Sequence, residues 1–102
     1  IDVEGFELNV LKGAQNTLSK ENAPIICIEY VKRLQSLNNT DISIFDFIKG
    51  VNSYTLFQLE KSSNTKSKLI EVDSEKGLRD CDNIYCFTEH HIKNLSSKKL
   101  FK

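Results

Sequence analysis

The spacing of apolar side chains changes several times along the chain, and each change marks a predicted element. Ile1, Asp2, Val3 and Glu4 alternate apolar and acidic, the period of a strand. Gly5 then supplies the permissive backbone of a tight strand-to-helix turn. Over residues 6–20 the period lengthens to that of a helix, with Val10, Leu11, Ala14 and Leu18 on one side. Glu7 falls in its first turn, where a carboxylate suits the positive end of the helix dipole. Gly13, in mid-helix, costs about 1 kcal/mol relative to alanine and predicts close packing of the helix on a neighbouring backbone.

Residues 21–24 form a loop around Pro24. The run Ile25, Ile26, Cys27, Ile28, ending at Glu29, is short, continuous and β-branched. It predicts a parallel strand buried on both faces, with Cys27 as a small buried hydrophobe. Residues 34–39 are polar and predict a loop. Thr40 or Asp41 is placed to cap a helix whose apolar face carries Ile42, Phe45 and Ile48, and Gly50 is placed to end it. Residues 54–60 read as a strand rich in Thr, Phe and Leu. A polar connection over 62–68, a short strand over 69–72, a loop over 73–83, a last strand over 84–87 and a terminal helix over 89–95 complete the chain.

Alternating strands and helices predict an α/β architecture. No long helix separates the last two main strands, so they are expected to be antiparallel.

The 102 residues carry 14 basic and 14 acidic side chains, so the bulk charge leaves no electrostatic footprint for nucleic acid. Lys93, Lys98, Lys99 and Lys102 make residues 93–102 a basic, solvated tail. No apolar stretch approaches the length of a membrane span. Cys27, Cys81 and Cys86 form no C-x-x-C pair, and an odd count without framework spacing suits a reducing compartment, so a cytoplasmic location is expected. Adjacent His90 and His91 cannot both face one metal from a regular element and are expected to be a surface pair. Gly5, Gly13, Gly50 and Gly77 form no G-x-G or P-loop pattern, so the chain holds no phosphate or nucleoside cradle of that kind.

Two features carry candidate chemistry. Asp2 and Glu4 lie on one side of a strand end, and two carboxylates held together need a proton, a cation or an ordered donor between them. The carboxyl edge of an open α/β sheet is where ligands bind. The other reading makes one carboxylate a helix cap and leaves the other solvated. Glu29 closes the next strand and faces the same edge if the two strands are neighbours; otherwise it is an exposed strand-end charge.

The string Ile1-Asp2-Val3-Glu4-Gly5-Phe6-Glu7, running into Leu11-Lys12-Gly13-Ala14, resembles the signature of FkbM-type, S-adenosylmethionine-dependent methyltransferases. The resemblance extends to Pro24 and the apolar run ending at Glu29. It is looser through Phe45-Asp46-Phe47-Ile48 and Asp82-Asn83-Ile84-Tyr85-Cys86-Phe87. It implies the C-terminal half of a Rossmann-like class I methyltransferase sheet. The strands ending at Glu4 and Glu29 would be the fourth and fifth, 54–60 the sixth, and 84–87 an antiparallel seventh inserted between fifth and sixth.

By the same resemblance, residues 1–102 are a partial domain, the substrate-side half, and the cofactor-binding half is expected upstream. The implied reaction is O-methylation of a hydroxyl on a sugar or other small metabolite, with the fragment alone inactive. Asp2 would lie near the methyl group or a cation, with a cofactor contact open to it. Glu4 would be hydrogen-bond partner or base, and Glu29 a substrate contact; a divalent metal at Asp2 and Glu4 is open.

Two further readings stand beside this one. A non-catalytic α/β interaction module would cover an open sheet edge by self-association. A metal-dependent hydrolase would use Asp2, Glu4 and Glu29, but leaves Leu11-Lys12-Gly13-Ala14 unexplained.

Overall fold

A computed structural model describes residues 7–32, 43–60 and 68–95. The elements in chain order are α1 (Glu7–Gly13), α2 (Gln15–Leu18), β1 (Ile26–Tyr30), α3 (Ile44–Val51), β2 (Thr55–Leu59), β3 (Leu69–Val72), a 3-10 turn (Glu75–Gly77), β4 (Asp82–Phe87) and α4 (Glu89–Leu95).

The strands form one sheet in the order β1-β4-β2-β3, and every adjacent pair is antiparallel. The last strand therefore lies between β1 and β2, antiparallel to both, as expected. It follows that β1 and β2 run in the same direction. Register pairs Ile28 with Ile84 and Leu56 with Cys86, which places these side chains on one face.

That face carries the main core. Leu8, Leu11 and Leu18 from α1 and α2, and Ile44, Phe45 and Ile48 from α3, pack with Ile26, Ile28, Leu56, Ile84 and Cys86. The opposite face is covered by α4, whose Ile92 and Leu95 pack against Phe57, Leu69 and Phe87. Phe57 and Phe87 meet edge to face with ring centroids 5.7 Å apart. Helices thus lie on both sides of the sheet, which is an α/β arrangement built on four antiparallel strands.

Several local expectations need correction. The predicted helix over 6–20 breaks at Ala14, whose N–H is shared between the carbonyls of Val10 and Leu11, both at 3.1 Å. Within α1 the spacing of Leu8 and Leu11 turns these two toward the core with Leu18, while Val10, about 100° away around the helix, is 42% exposed. Gly13 ends α1 at this seam, and a Cβ built there meets nothing within 4 Å, so close backbone packing is not its role.

The strand β1 is not buried on both faces. Ile26, Ile28 and Tyr30 point into the core, while Cys27 and Glu29 are exposed. The reason is coverage: α4 shields the Phe57–Phe87 part of that face and leaves Cys27 open. The buried thiol is Cys86, which burial pushes above the ordinary cysteine range.

The cap of α3 is Ser43, not Thr40 or Asp41, which lie outside the described residues. The Asp46 N–H donates to Ser43 Oγ at 3.1 Å. Nor does Gly50 end this helix, which continues through Val51. Asn52 follows, and its amide donates to the carbonyls of Leu18 and Lys20, both at 2.8 Å. Carbonyls at the end of α2 need outside donors, so the residue that follows α3 finishes α2 with its side chain. Tyr54 precedes β2 and donates its hydroxyl to the Pro24 carbonyl at 2.6 Å; burial, and then the neighbouring Cys86, push its phenol up to about 12. The predicted loop over 73–83 contains the 3-10 turn and already enters β4 at Asp82.

Candidate functional site at the carboxyl edge of the sheet

β1 and β2 end at the same edge because they run parallel, and the segment 73–81 folds across that edge. Three side-chain clamps hold it there. Tyr30, the last residue of β1, donates its hydroxyl to Glu75 Oε1 at 2.9 Å. Asp80 accepts the Lys32 N–H at 2.7 Å and the Cys81 N–H at 2.9 Å. Gln58, buried near the end of β2, accepts the Arg79 N–H at 2.8 Å and donates to the Arg79 carbonyl at 3.1 Å.

The sequence explains each clamp. Alternation along β1 sends Tyr30 inward with Ile26 and Ile28, so its ring is buried and its hydroxyl needs an acceptor. Gln58 faces the main core and would be costly there unpaired; two backbone groups of one residue satisfy it. Cys81 adopts φ 56°, a left-handed conformation that turns the chain into β4. Asp80 stabilises that turn by accepting two backbone N–H groups.

These contacts set the electrostatics of the edge. Burial raises the Tyr30 phenol above the ordinary tyrosine range, and the hydrogen bond to Glu75 and the charges of Glu75 and Asp80 raise it further. Tyr30 is therefore a donor to Glu75 at every physiological pH. The Lys32 N–H, followed by the Cys81 contacts, holds the Asp80 carboxyl below its ordinary value despite some desolvation. Arg79 pairs with Asp82 at 3.1 Å and also donates from Nη2 to the Leu59 carbonyl. Two atoms withdrawn from solvent lack a partner: Glu75 Oε2 and Arg79 Nε.

Of the residues chosen from sequence, Glu29 is described and Asp2 and Glu4 lie outside the described residues. Glu29 stands in β1 beside Tyr30, opposite Asn83, with its side chain exposed on the face that carries Cys27. Tyr30, Gln58, Glu75, Arg79 and Asp80 were not chosen from sequence. The only sequence signal for them is a tyrosine and a glutamine at inward-facing strand positions, each of which demands a partner.

The histidines do not form a simple surface pair. His90 is exposed and its Nε2 lies 3.1 Å from the Asn94 amide. His91 is half-buried and bound to Thr88. Among the described residues no group of three or more His, Cys, Asp or Glu side chains is placed to hold a metal ion. No helix among them is long and apolar enough to cross a membrane.

The profile of the methyltransferase FkbM domain matches residues 1–52, which takes in the Asp2-Val3-Glu4-Gly5 motif, α1, α2, β1 and α3. No curated protein and no solved structure matches the chain. The matched stretch is half of the sequence and ends just after α3, before the strands β2, β3 and β4 that complete the sheet. The chain belongs to the FkbM methyltransferase family.

Proposed function

We propose that this chain forms the acceptor side of an S-adenosylmethionine-dependent methyltransferase that methylates a hydroxyl of a sugar or another small metabolite. The observation that carries the reading is the family match across the motif Asp2-Val3-Glu4-Gly5 and the strand ending beside Glu29. The strand order supports it. An antiparallel β4 between two parallel strands is the order expected for the last three strands of a Rossmann-like class I sheet.

The described residues do not themselves fit the nucleoside of the methyl donor. Gly13 and Gly50 are helical and Gly77 closes a 3-10 turn, so no glycine of the described chain makes a phosphate or nucleoside loop. The proposal places the cofactor outside the described residues, with Asp2 as a candidate contact, and a divalent cation at Asp2 and Glu4 remains part of it. When bound, the cofactor supplies an electrophilic methyl group.

The residues of this chain then bind and orient the acceptor. Asp2 and Glu4 are assigned to the reacting end, with Glu4 accepting the hydroxyl hydrogen. Glu29, exposed beside Tyr30, is assigned to a second hydroxyl of the acceptor. Catalysis of this kind rests mainly on holding oxygen in line with the methyl group, with proton removal adding a smaller factor. A cytoplasmic setting suits such a reaction and is part of the same proposal.

The test is transfer of labelled methyl from S-adenosylmethionine to a panel of hydroxyl acceptors by the protein carrying this chain. Asp2→Asn and Glu4→Gln are expected to lower turnover by about a hundredfold or more, with Glu29→Gln acting mainly on acceptor KM. Full turnover in Asp2→Asn would remove the assigned role of that residue. The 102-residue chain alone is expected not to bind the cofactor at micromolar concentration.

A further inference from the structure

We draw no further inference here: the strongest candidate, the patch of exposed Cys27 and Leu59 around half-buried Tyr85 on the sheet face that α4 only partly covers, is an unpartnered surface, and nothing in the structure shows what covers it.

Discussion

Thr88 and His91 cap each other at the start of α4. The His91 N–H approaches Thr88 Oγ at 3.4 Å, and the Thr88 N–H donates to His91 Nδ1 at 3.0 Å. This is the reciprocal geometry of a capping box with an imidazole in the place usually held by a glutamate. A donor pointing at Nδ1 requires a lone pair there, so His91 must be neutral, with its proton on Nε2. Burial, and then the neighbouring His90, lower its pKa accordingly, against a smaller opposing hydrogen bond to the Ala23 backbone.

The first prediction follows from that proton. The folded pKa of His91 lies below its unfolded value near 6.5, so the unfolded chain binds the extra proton more readily. The stabilisation is fully present above the unfolded value and is lost as pH falls from there through the folded pKa. Because α4 carries Ile92 and Leu95 over Phe57 and Phe87, the loss should uncover that second cluster. Thermal melts between neutral and mildly acidic pH should show a fall in midpoint that His91→Glu, which keeps the acceptor, reduces. Thr88→Ala should cost about 1 kcal/mol at neutral pH. A melting midpoint with the same pH slope in His91→Glu would show that another group titrates.

A second prediction separates two neighbours in α1. Leu11 is 1% exposed in the main core and Val10 is 42% exposed. Leu11→Ala removes buried methyl groups that the surrounding strands cannot fully replace and should cost about 2–5 kcal/mol. Val10→Ala should stay within about 0.5 kcal/mol. Urea unfolding of the two variants checks which face of α1 meets the core, because a helix with Val10 on the apolar side would make both costly.

How much of this was legible beforehand depends on what each element needed. The bounds of α4 and β3 match the expectation to the residue, and the resemblance carries the insertion of β4 between β1 and β2, although β4 starts at Asp82, two residues before the predicted strand. Each rests on local period, or on a resemblance that carries the strand order. The burial of β1 was misread because the run Ile25 to Ile28 is apolar on both faces, and composition cannot say which face finds a partner. Ser43 was passed over as a cap because the candidate caps Thr40 and Asp41 stand closer to a longer apolar stretch beginning at Ile42. The three clamps at the carboxyl edge join residues far apart in sequence, such as Tyr30 with Glu75. Periodicity has no term for such pairs.

A third prediction tests the strongest of those clamps. Tyr30→Phe keeps the ring in the core and removes only the hydroxyl donor. It leaves a carboxylate whose Oε2 already lacks a partner without its remaining hydrogen bond, and should cost about 1–3 kcal/mol. Tyr30→Phe combined with Glu75→Leu should recover part of that loss, since removing both polar groups is milder than removing one. If the double variant is no more stable than Tyr30→Phe, the penalty lies in packing and not in the orphaned carboxylate.

The last prediction concerns the outer edge of β1. In the described sheet β1 is an end strand, and its register partners all lie on β4. Among the described residues no strand covers its outer backbone groups, which therefore offer a template for residues 1–4 or for a strand of a second copy. Just before it, Ile25 is 48% exposed, and Cys27 and Glu29 face away from the main core. Neither a proline nor a lysine lies within β1 to blunt the edge. We expect the isolated chain to self-associate through this strand into a dimer or higher assembly. Light scattering should report an assembly at high concentration, and Ile25→Lys should shift it toward monomer by adding charge and removing apolar surface where strands would meet. Because Ile25 lies outside the main core, the substitution should leave the melting midpoint of dilute protein nearly unchanged, which separates lost association from lost folding. A monodisperse monomer at every concentration would show that residues of the chain itself cover the edge.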